Sequence, residues 1–127
     1  MIEQLVNYDR IRRMIVIYHN PRCSKSRQTL RLLQENGVEP EVVEYLKTPP
    51  NPKELKTILK KLSIAPRDLL RTKEEAYKTT GLQNKSLGDD EVIEIMCANP
   101  VLIERPIVIT DEQAAIGRPP ENVLQIL

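Results

Sequence analysis

A chain of 127 residues fits one domain and can bury a core without disulfides or a structural metal. Its formal net charge of +1 offers no global attraction to nucleic acid or a membrane surface, so any affinity for an anion must come from a local cluster. With no Phe or Trp, the core falls to Leu, Ile and Val.

Residues 1–13 carry Ile2, Leu5, Val6 and Ile11, a weak amphipathic turn with no evident strand partner, and read as an appendage without an assigned role. They lack the basic start and long apolar run of a signal peptide, and no apolar run is long enough to span a bilayer. A cytoplasmic protein with no membrane or nucleic-acid partner is therefore expected, with residues 14–127 as its single domain.

Met14-Ile15-Val16-Ile17-Tyr18 is a continuous β-prone run, the pattern of a strand covered on both faces. His19-Asn20-Pro21-Arg22 breaks it. Residues 23–36 then read as a helix with Leu30, Leu32 and Leu33 inward, stopped by Gly37. Residues 41–46 form a second strand, ended by Thr48-Pro49-Pro50 and parallel to the first, because a strand–helix–strand unit crosses over.

Asn51-Pro52-Lys53-Glu54 starts a helix, with Asn as cap and Pro at the first helical position, and Leu55, Ile58, Leu59 and Leu62 continue its apolar face. Pro66 opens a shorter helix, and residues 74–80 make another, stopped by Gly81. Asp89 caps a further helix bearing Val92, Ile93, Ile95 and Met96. Residues 105–110 and 113–116 are two strands joined by a tight turn, hence an antiparallel hairpin, and residues 121–127 form a last helix. The order is βαβ, a helical insertion over about residues 51–99, then ββα. That order is an α/β fold with a mixed four-stranded sheet and helices on both faces.

The chemistry concentrates in Tyr18-His19-Asn20-Pro21-Arg22-Cys23-Ser24-Lys25-Ser26-Arg27. A cysteine after a strand and at the first turn of a helix faces unpaired backbone N–H groups and the positive end of the dipole, which favour the thiolate. Lys25 and Arg27 add positive charge, and the same N–H groups can hold a tetrahedral oxyanion against the sulfur. Most lone cysteines are small packed residues; this placement among cations argues for a nucleophile. Ser26 stands where a C-x-x-C motif puts its second cysteine, so whatever forms on Cys23 needs Cys97 or an outside thiol to resolve it. Cys97, among Ile93, Met96 and Ala98, reads as a packed thiol. His19 either tunes Cys23 or braces the loop, and Asn20 either donates to an anion or shapes the turn. Two cysteines and one histidine make no metal site by spacing.

Read in order, His19-Asn20-Pro21, Cys23-Ser24-Lys25-Ser26-Arg27, Tyr45-Leu46-Lys47-Thr48-Pro49-Pro50, Leu69-Leu70-Arg71, Glu104-Arg105-Pro106-Ile107-Val108 and Gly117-Arg118-Pro119 resemble the glutaredoxin-coupled arsenate reductase family. The resemblance runs from about Ile15 to the C-terminus. It implies a thioredoxin-like fold, catalytic Cys23, and an oxyanion site of Arg71, Arg105 and Arg118. It further implies a supporting loop of His19, Asn20, Ser26 and Arg27, with Pro106 following a cis bond. Guanidinium forks suit such a site, since they bind tetrahedral oxyanions in a bidentate way and stay charged.

The activity implied is reduction of arsenate or a related oxyanion. Glutathione is the reducing cosubstrate and glutaredoxin the partner, with no bound cofactor, no metal, and a monomeric protein. Gly117 stands where some members carry a further cysteine, which points away from an intramolecular disulfide. The basic Arg22-Cys23-Ser24-Lys25 loop resembles the reductase-like branch. Two alternatives stay open. One is a glutathione-dependent thiol–disulfide oxidoreductase of the same fold. The other is an RNA-polymerase-binding redox regulator, which Ser26 disfavours because such switches carry C-x-x-C.

Overall fold

The structure, a computed structural model, describes residues 14–127, so the appendage read at residues 1–13 lies outside it. Strand β1 (Val16–Tyr18) leads through the Cys23 loop to helix α1 (Ser24–Glu35), and Gly37 turns the chain with φ 77° into β2 (Glu41–Val43). Helices α2 (Pro52–Leu62), α3 (Glu75–Thr79) and α4 (Asp89–Ala98) follow, with 3-10 turns at Pro66–Leu69 and Pro100–Leu102. Strands β3 (Ile107–Ile109) and β4 (Ala114–Ile116) then form the hairpin, and a 3-10 segment, Pro120–Ile126, ends the chain.

The sheet order is β2-β1-β3-β4, with β1 parallel to β2 and antiparallel to β3, and β3 antiparallel to β4. This is the mixed four-stranded sheet that the element order implied. Period-two alternation divides the core between its faces. Tyr18 and Ile107 pack with Leu55, Leu59, Val92 and Met96 of α2 and α4. Ile17 and Val108 pack on the other face with Leu33 of α1 and Val123. The Asn51 side chain accepts the Glu54 N–H at 2.8 Å while the Glu54 carboxylate accepts the Asn51 N–H at 3.0 Å, a reciprocal cap that fixes the start of α2.

Several element ends differ from the sequence reading. Strand β1 starts at Val16, since Met14 is exposed and finds no partner in the ladder. Strand β2 ends at Val43, because the Glu44 carbonyl accepts the N–H groups of Lys47 and Thr48 and the chain turns, carrying Tyr45 inward. Gly88, not Asp89, caps α4, its N–H bonded to the Glu91 carboxylate at 3.1 Å. The Pro66 segment and the C-terminal segment are 3-10 rather than α. Such short pieces are held by packing, here Leu69 and Val123, and cannot propagate a helix on their own.

Three local features bring distant residues to the Cys23 end of the sheet. Leu70 and Ile103 form an isolated antiparallel bridge, flanked by Arg71 N–H to Leu102 O at 2.8 Å and Glu104 N–H to Leu69 O at 2.9 Å. The Arg105–Pro106 peptide is cis, as expected, and Arg118–Pro119 is cis as well. Gly117 donates its N–H to Pro106 O at 2.9 Å.

Gly117 is a close approach: a Cβ there would lie 2.8 Å from Pro106 Cγ, 3.0 Å from Thr29 Cγ2, and against Thr29 Oγ1. Gly117→Ala is therefore expected to destabilise the protein by about 1–3 kcal/mol, as overpacking does. Denaturant unfolding measures this, and a midpoint equal to that of the parent would contradict it.

Candidate active site

Cys23 occupies the N-cap of α1 with extended backbone (φ −96°, ψ 123°) and is buried. The loop before it is latched from within. The Ser26 hydroxyl lies 2.6 Å from His19 Nδ1 and accepts the Asn20 N–H at 3.0 Å. Burial lowers the His19 pKa, with Glu44 opposing and Arg27 assisting, so the imidazole is neutral at pH 7. Its Nδ1 shares a hydrogen bond with the Ser26 hydroxyl, the donor being set by the imidazole tautomer. The Asn20 side chain accepts the Arg22 N–H at 3.0 Å, and Arg27 Nη1 donates to Pro21 O at 2.9 Å. His19, Asn20, Ser26 and Arg27 thus shape the loop, and Arg27 spends its guanidinium on the backbone.

The arginines converge from three separate segments. Arg118 Nη2 lies 3.6 Å from Cys23 Sγ, and its Nε donates to Arg105 O at 2.8 Å. Arg118 Nε also pairs with Glu104 Oε1 at 3.1 Å, and Arg71 Nη1 reaches the same oxygen at 2.7 Å. Arg71 Nε is held by Glu74 at 3.2 Å. Arg105 enters none of the ion pairs among the described residues, and its Nε is buried without a hydrogen-bond partner. The fully buried Tyr45, stacked on Tyr18 at 6.2 Å, also leaves its hydroxyl without a partner.

Burial pushes the Cys23 thiol up, yet its pKa lies below the ordinary value. The Arg105 guanidinium, together with the backbone N–H groups of Ser26 and Lys25, favours the thiolate by more than burial opposes it. Cys97 has the reverse setting: burial, Glu54 and Glu94 all push its thiol up. The two cysteines are free, and one is placed for chemistry.

Glu104, Glu74 and Tyr45 belong to this cluster and carried no role in the sequence reading. Glu74 stands at the i+3 spacing from Arg71 that pairs charges on one turn, a signal that could have been read. Glu104 and Tyr45 lie inside motifs whose local spacing says nothing of what they touch. Among the described residues no cluster of His, Cys, Asp and Glu could hold a metal, and no helix is long and apolar enough to cross a membrane. A cavity of about 470 Å³ between Val38, Glu39, Gln113 and Leu127 lies at the opposite end of the sheet and holds none of these residues.

Two measurements test this geometry. The rate of Cys23 alkylation by iodoacetamide, followed by peptide mass, should rise with pH around a midpoint below the ordinary thiol value of about 8.5, and the midpoint should move up in Arg105→Ala. Ser26→Ala strips the buried Asn20 N–H of its acceptor and should lower unfolding free energy by about 1–3 kcal/mol; unchanged stability would show the latch to be dispensable.

A family model described as the ArsC family matches residues 18–126. The chain is 49% identical to the arsenate reductase of Neisseria meningitidis serogroup A over 114 residues, 89% of this chain and 97% of that protein. It is 53% identical to the uncharacterized protein YfgD of Escherichia coli strain K12 over 116 residues, 91% of this chain and 98% of that one. The solved structure of the arsenate reductase from Vibrio cholerae superposes with a TM-score of 0.88 at 49% identity, covering 91% of this chain and 98% of that one. The thioredoxin-like fold and a match spanning nearly every described residue lead to one conclusion: the chain belongs to the ArsC family.

Proposed function

We propose that this protein is a cytoplasmic arsenate reductase that draws its electrons from glutathione and glutaredoxin. The observation that carries the reading is a Cys23 thiol pulled toward thiolate by Arg105, with Arg118 Nη2 3.6 Å from its sulfur. The names of the Neisseria and Vibrio relatives support the substrate.

In this reading the thiolate attacks arsenic, an S–As bond forms and water is lost. Arg105, the free edges of Arg71 and Arg118, and the leading amides of α1 hold the oxyanion charge. A glutathione thiolate then attacks the Cys23 sulfur. The S–As bond breaks, its electron pair leaves with arsenic as arsenite, and a Cys23–glutathione disulfide remains. Glutaredoxin takes the glutathione by thiol exchange and returns the Cys23 thiolate.

The buried Ser26 supports an outside thiol as the resolving group, since its hydroxyl braces the loop and no second sulfur stands there. The same feature weighs against a two-cysteine redox switch acting on a polymerase.

Arsenite release from arsenate, measured with glutathione and glutaredoxin supplied, tests the proposal. Cys23→Ser should abolish turnover, and Arg105→Ala should lower kcat/KM by roughly 10²–10³-fold, the scale of losing one oxyanion-stabilising group. Folded protein that releases no arsenite, yet reduces glutathionylated disulfides through Cys23, would transfer the assignment to a thiol–disulfide oxidoreductase.

A further inference from the structure

The oxyanion pocket contains a carboxylate, and that is chemically unexpected. Glu104 Oε1 accepts from Arg71 Nη1 at 2.7 Å and from the Arg105 backbone N–H at 3.1 Å, and forms an ion pair with Arg118, whose Nε lies 3.1 Å away. The same carboxylate oxygen therefore gathers two of the three guanidinium groups and caps the segment that carries the third. Glu74 takes a further edge of Arg71. The cationic charge at Cys23 is thus largely balanced before any ligand arrives, and among the described residues the only buried arginine nitrogen lacking a partner belongs to Arg105.

We infer that Glu104 is a positioning residue that also sets charge selectivity, biasing the pocket toward singly charged tetrahedral oxyanions over doubly charged ones. The inference rests on the oxyanion reading of the site. Its physical basis is simple: the repulsion between Glu104 and a ligand scales with ligand charge, so a dianion feels it twice as strongly as a monoanion of equal shape. The hydrogen-bonding role and the charge role are separable. Glutamine retains an acceptor oxygen for Arg71 and the Arg105 N–H but carries no charge. Aspartate retains the charge and shortens the reach.

Sulfate and perchlorate are tetrahedral oxyanions of fixed and different charge, and each can be titrated against the iodoacetamide labelling rate of Cys23 at constant pH and ionic strength. In the parent protein both should slow labelling. In Glu104→Gln the ratio of the perchlorate to the sulfate dissociation constant should rise about tenfold, because only the charge has been removed. In Glu104→Asp that ratio should stay within about twofold of the parent, whatever happens to the absolute affinities. A purely structural role would shift both anions by one common factor in both variants, and that result would overturn the inference while leaving the oxyanion pocket intact. Labelling slowed by neither anion in the parent would overturn the pocket itself, and this inference with it.

Discussion

Like charges brought to one end of a sheet need a counter-charge between them, and Glu104 Oε1 supplies it. Arg71 arrives behind a 3-10 turn, Arg118 behind β4, and Arg105 at the head of β3, so their sequence separation offers nothing to hold them together. The carboxylate does, at 2.7 Å from one guanidinium and 3.1 Å from another. The Leu70–Ile103 bridge aligns the two backbones so that Arg71 meets Glu104 directly. A partly buried ion pair of this sort contributes little net stability, because desolvation offsets much of the attraction. What it contributes is geometry, since the Arg118 nitrogen left free, Nη2, is the one that lies 3.6 Å from the Cys23 sulfur.

The thiol depends on that geometry. Burial alone would push the Cys23 thiol up, as it helps to do at Cys97. The difference between the two sulfurs is one of neighbours. Cys23 has Arg105 and the leading amides of α1, whereas Cys97 has Glu54 and Glu94. Two thiols in one small domain thus acquire opposite chemistry from the sign of the charge packed beside them.

Much of this fold could be read from the chain, because its elements announce themselves locally. The β1 run, the Asn51 cap with Glu54, Gly37 beyond α1 and the closely spaced hairpin strands are each decided within a few residues. Element ends were harder. The end of β2 is set by the Glu44 carbonyl, which bonds forward to Lys47 and Thr48, and the C-terminal 3-10 segment by Val123 packing across the sheet. In the site, Cys23 and its loop were legible because strand, turn and helix start adjoin in sequence. The arginines were reached through motif resemblance, and the carboxylate that gathers them was not reached at all. A contact spanning 33 residues leaves no periodic trace.

The pinch at Gly117 has an evolutionary consequence. With Thr29 and Pro106 this close to where a Cβ would stand, a cysteine or any other side chain at position 117 forces those two neighbours to shift. Substitutions at positions 29, 106 and 117 are therefore expected to be non-additive. A sulfur gained beside Arg118 carries a packing cost that a smaller helix residue at position 29 would lessen, and a threonine there favours glycine.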